Sequence, residues 1–189
     1  MMSKDAFSER GQALEDEFFR RVDKRLLAEL KAKDALQSDR KQLQEATGIT
    51  NPDLLDELLA AGASAESIAA ISLVPLVLVA WADGNVAPEE RSPIIEAAKE
   101  KGITSDSPAA ALLEQWLSVK PSRKLITTWQ HYIAAVMDQM SVETQAALRS
   151  DLIGRAQAVA NAAGGVLGFG KVSADEKRVL NELEQTLAR

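Results

Sequence analysis

The chain has no cysteine, so disulfides, thiolate nucleophiles and cysteine-ligated zinc or iron–sulfur centres are all excluded. Aromatic residues are scarce at 4%. Ala, Leu and Glu are abundant instead, which favours helices over sheets, whose pleated surface suits β-branched and aromatic side chains. There is no basic cluster. Lys and Arg are scattered and the net charge is −6, which leaves no electrostatic footprint for nucleic acid. There is also no hydrophobic run long enough to span a bilayer. The most apolar stretch, Ile68 to Ala82, is 15 residues, is interrupted by Pro75, and falls short of the roughly 20 residues required. It reads as a buried core helix. Residues 1–10 are polar and contain no signal-peptide core, so a cytoplasmic protein is expected. What the chain does have is 46% hydrophobic residues, too many for disorder.

Proline is absent before Asn51-Pro52, and Gly11 is the only glycine before Gly48. Residues 5–46 therefore read as one long helix, or two end to end. Phe7, Leu14, Phe18, Val22, Leu26 and Leu30 form an apolar stripe at helical spacing, and charge dominates beyond it. Thereafter punctuation is frequent. Gly48-Ile49, Gly62-Ala63 and Gly102-Ile103 read as helix stops, with glycine in the left-handed position and an apolar residue after it. Asn51-Pro52, Ser107-Pro108 and Pro121-Ser122 read as starts. These signals place helices near 52–61, 65–70, 73–82, 88–101, 108–119, 123–139, 142–163 and 174–188. The expected apolar face of 108–119 is Leu112, Leu113, Trp116 and Leu117, and that of 123–139 is Ile126, Trp129, Ile133, Val136 and Met140. No strand is expected. The fold class is all-α, a bundle of short-loop helical hairpins over 48–189 preceded by a helical arm over 1–47.

Two segments echo each other. Gly84-Asn85-Val86-Ala87-Pro88-Glu89-Glu90-Arg91 aligns with Gly170-Lys171-Val172-Ser173-Ala174-Asp175-Glu176-Lys177. Helix-start chemistry explains most of the pattern: glycine turns the chain, valine anchors it, a small residue caps, and acids meet the positive end of the helix dipole. A sharper reading is cation binding. Asp83, Glu89 and Glu90 offer hard oxygen ligands beside a tight turn, suited to Ca²⁺ or Mg²⁺. A regular EF-hand is excluded, since Val79 and Trp81 stand where its first two ligands would be. In the second copy, Phe169 replaces the aspartate.

The run Leu76-Val77-Leu78-Val79-Ala80-Trp81-Ala82-Asp83-Gly84-Asn85-Val86, followed by Glu89-Glu90-Arg91, resembles the TerB-like family, the tellurite-resistance B proteins and their helical relatives. The likeness is strongest over 70–103 and does not cover 1–50. It implies an all-helical bundle without catalysis and a role in stress or metal-oxyanion resistance. It also implies divalent-cation binding through acidic residues, here Asp83, Glu89 and Glu90.

Two near-misses to catalysis stand beside this. Gly165 to Val172 is one residue short of a Walker A loop: Val172 follows Lys171 where Ser or Thr is needed, and a helix rather than a strand precedes it. His131 is the only histidine and lies between Trp129 and Tyr132 on a helix, where an interior or boundary position is expected rather than a base. Trp81, Trp116 and Trp129 are read as core residues at helix contacts. The sequence thus points to a non-enzymatic adaptor or sensor with a protein partner. Self-association is left open. The alternative is a structural interaction module that docks through its N-terminal helix without metal.

Overall fold

The computed structural model describes residues 4–163 and 172–188, and side chains from residue 20 onward apart from 22, 23 and 163. Eight α-helices and one 3-10 helix occur among the described residues, with no strand. They are α1 (Lys4–Thr47), α2 (Pro52–Ala60), a 3-10 helix (Ile68–Leu73), α3 (Val74–Ala80), α4 (Pro88–Glu100), α5 (Pro108–Ser118), α6 (Arg123–Met137), α7 (Val142–Ala163) and α8 (Ala174–Leu187). No helix among the described residues is long and apolar enough to cross a membrane.

The chain divides into two compact units, Met1–Lys41 and Gln42–Arg189. The first is a stretch of α1. Its Leu26, Leu27, Leu30 and Leu36 are all exposed, and Arg25 pairs with Glu29 one turn on at 2.8 Å. The side chains of Phe7, Leu14, Phe18 and Val22 lie outside the described residues.

The second unit is a helical bundle with one continuous apolar core. Its centre is α3, where Val74, Pro75, Leu76, Val77, Val79 and Ala80 are all buried. Helix α3 packs against α4, α6, α7 and α8, and α7 lies along both α4 and α8. Close approach by α7 follows from its small buried residues, Ala156, Val159 and Ala160. At the start of the unit, Leu43 is fully buried.

The punctuation acts as its chemistry requires. Asn51 Oδ1 accepts from the amides of Asp53 at 3.0 Å and Leu54 at 3.3 Å, capping α2. Ser107 Oγ caps α5 by accepting from Ala110 N at 3.2 Å. After α2, Gly62 takes φ +87°, and a Cβ there would meet Leu112 Cδ1 at 3.2 Å, so glycine is required both by conformation and by space.

Two expectations are corrected. The helix near 65–70 is instead a 3-10 helix over Ile68–Leu73. Ser67 Oγ accepts from Ser64 N at 2.8 Å and Ser67 N donates to Ser64 Oγ, so serine side chains compete for the bonds a helix would make. The buried face of α6 is also rotated. Leu125, Thr128, Trp129, Ile133 and Met137 face inward, while Ile126, Val136 and Met140 are half-buried. The stripe read from sequence mixed core residues with a second, partly open face.

Candidate functional site

Helix α3 ends at Ala80, and three reverse bonds turn the chain: Trp81 N to Val77 O, Ala82 N to Val79 O and Gly84 N to Trp81 O, all 3.0–3.1 Å. Asp83 Oδ1 accepts from Asn85 N at 3.1 Å, closing an Asx-type turn. Gly84, at φ +103°, supplies the left-handed step. Val86 is half-buried and packs on the core, and Ala87 becomes the N-cap of α4 with Pro88 at its first position.

This geometry buries one of the three predicted acids and leaves the other two open. Asp83 and Glu89 are exposed. Glu90 is buried at 2% exposure, and its Oε2 accepts from Ala87 N at 2.7 Å. That is the returning half of a capping box; alanine has no oxygen to complete the other half. Farther along α4, Pro93 has no N–H to give to the carbonyl of Glu89.

The second copy of the echo builds the same device in full. Ser173 Oγ accepts from Glu176 N at 3.1 Å, and Glu176 Oε2 accepts from Ser173 N at 2.6 Å. Glu176 is also buried, at 5% exposure, and its Oε1 has no hydrogen-bond partner among the described residues. Burial pushes the Glu90 carboxyl up from 4.5 to about 7, against the pull of its bond from Ala87 N–H, and the charges of Asp83, Glu176 and Glu89 push the same way as burial. The fold therefore gathers Asp83, Glu89, Glu90 and Glu176 into one acidic neighbourhood. From the sequence, Ser173 with Glu176 reads as a capping box, which the structure shows, but Glu176 is not among the predicted acids of the site; its alignment with Glu90 in the echo was the signal that could have placed it there. Phe169 and the Walker-like loop up to Lys171 lie outside the described residues.

As a cation site the neighbourhood has the right charge and the right atoms, hard carboxylate oxygens, one of them buried and unpartnered. Among the described residues, no group of three or more His, Asp or Glu is arranged to hold a metal ion.

His131 is not interior. Its side chain is 54% exposed, and Nδ1 lies 2.8 Å from Glu57 Oε2. This ties α6 to α2, two helices that pack together. Trp116 and Trp129 are buried, and the half-buried Trp81 donates from Nε1 to Trp116 O at 2.8 Å.

The model of the family described as tellurite resistance protein TerB matches residues 67–188, more than half of the chain. The matched segment holds both acidic helix starts. Comparison with curated proteins finds no match. Comparison with solved structures finds none either.

Proposed function

The chain belongs to the TerB family, and from that premise we propose that it acts by binding rather than catalysis, as an adaptor or sensor in a stress or tellurite-resistance response. Its most specific chemistry is the acidic neighbourhood at the starts of α4 and α8. The observation that carries this is the pair of buried glutamates, Glu90 and Glu176, on two equivalent helix starts, with Glu176 Oε1 unpartnered. Burial keeps a proton on Glu90 up to about pH 7, and once that proton leaves, its buried charge beside the other acids is costly unless something compensates it. A divalent cation supplies that compensation when bound. Asp83 and Glu89 at the rim would attract it, and Glu90 and Glu176 would hold it from within. Helix α3 ends, and α4 and α8 begin, at this place, so occupancy would be felt by core helices.

Calorimetric titration of the intact chain with Ca²⁺, Mg²⁺, Mn²⁺ and Zn²⁺ tests the reading. Saturable heat and a rise in melting temperature are expected for at least one ion, and both should be lost in the Glu90→Gln, Glu176→Gln double variant. No heat and no thermal shift for any of the four would sink it.

A second reading rests on the exposed leucines of α1, Leu26, Leu27 and Leu30. They form an apolar patch that a protein partner, or another copy of the chain, would cover. On this reading the protein is an interaction module that docks through α1 without metal. Leu26→Glu with Leu30→Glu should then abolish capture of the partner or self-association. Unchanged capture and unchanged sedimentation would dismiss it.

A further inference from the structure

The start of α6, the C-terminal end of α3 and one face of α8 enclose a cleft of about 510 Å³, the size of a small-molecule site. Its apolar lining is Leu78, Trp81, Ile126, Val179 and Leu183. Its polar rim reverses the charge of the molecule. Lys120, Arg123 and Arg178 stand there against a single acid, Glu182, in a chain of net charge −6. These cations are not equally free. Arg178 pairs with Asp175 at 3.0 Å and Glu182 at 3.8 Å. Lys120 Nζ donates to the carbonyl of Trp81 at 3.3 Å, which keeps it at the mouth of the cleft. Arg123 is exposed at the first position of α6 and has no ion pair among the described residues.

Trp129 lies fully buried beneath the cleft, and its indole Nε1 has no acceptor among the described residues. A buried indole N–H ordinarily finds one. In the wall of the cleft, Gln130 Nε2 donates to Thr186 Oγ1 at 3.3 Å. The cleft thus combines an apolar bed with a guanidinium that has no ion pair among the described residues.

We propose that this cleft binds a small amphipathic organic anion, a carboxylic acid with an aliphatic or aromatic body. Arg123 and Lys120 hold the carboxylate, since a guanidinium matches its two oxygens. Leu78, Trp81, Ile126 and Val179 take the apolar body. An inorganic anion would leave the apolar bed empty. A neutral apolar molecule would leave Arg123 unused. The site involves none of the four acids discussed above and stands whether or not a cation binds there.

The test uses the intact chain with anilinonaphthalene sulfonate, an anionic amphiphile that fluoresces in apolar sites. Saturable fluorescence is expected, displaced by decanoate but not by decanol or decylammonium. Decanoate should also change the intrinsic tryptophan emission, with a smaller change in Trp81→Phe. Arg123→Glu should weaken decanoate binding by about tenfold or more, the scale of one lost charge-assisted contact, at an unchanged melting temperature. Lys120→Glu should weaken it as well. Added salt should lower affinity, because the charged contact lies at the rim. Absence of saturable binding would overturn the proposal. So would equal displacement by decanol, or full decanoate affinity in both charge-reversed variants.

Discussion

Glu90 shows how one side chain can be ordinary in sequence and unusual in place. Its spacing from Ala87 marks it as a capping glutamate, and it does cap. Its burial near Glu176 follows from packing that no local pattern announces. The consequence can be measured. Between pH 4.5 and about 7 the folded chain keeps a proton on Glu90 that the unfolded chain has released. This contribution to stability is therefore full below the unfolded value and is lost as pH rises through the folded one. Denaturant titrations across that window should show stability falling by about 2 kcal/mol relative to Glu90→Gln, whose amide oxygen can still accept from Ala87 N–H. A pH profile identical in the two proteins would contradict the burial argument. Gly62 offers a second test at this scale. Replacing it with Ala forces a side chain into φ +87° against Leu112, and a loss of about 1–2 kcal/mol is expected from thermal unfolding.

Among the helices, the two echoed starts differ by one oxygen. Ser173 completes its capping box and Ala87 cannot. Ala87→Ser should therefore stabilise α4 by about 0.5–1 kcal/mol, and Ser173→Ala should weaken α8 by a similar amount. If both changes were neutral in chemical denaturation, the caps would not be limiting. Helix limits were largely legible, because Pro at the first position and Gly after the last turn act on the backbone locally. The 3-10 helix was not, because Ser64 and Ser67 redirect the bonds there. The face of α6 was only half legible. Ile126 and Trp129 share a helical stripe, but one lines an open cleft while the other is also fully buried. Hydrophobic periodicity records apolar surface and not what covers it.

For the whole molecule, the second unit has its own core, which begins with Leu43. A chain of residues 42–189 is expected to unfold cooperatively with nearly the melting temperature of the full chain. Leu43→Ala should cost about 2–4 kcal/mol, and Leu30→Ala in the exposed patch within about 0.5 kcal/mol. Calorimetry of the three proteins checks this. A non-cooperative 42–189 chain would mean that the core depends on the preceding helix.

By itself the sequence determined an all-helical chain, most of its helix limits, its family likeness and the acidic turn at Asp83, because these depend on backbone preferences and spacing along a few turns. Tertiary structure decided which acids meet. It buried Glu90 and Glu176 near one another, left Asp83 and Glu89 exposed, moved His131 to the surface beside Glu57, and opened a basic-rimmed cleft over Trp81 and Trp129. The reason is physical. Burial, and the charge interactions that burial strengthens, depend on how helices distant in sequence pack against one another, and only the folded core sets that packing.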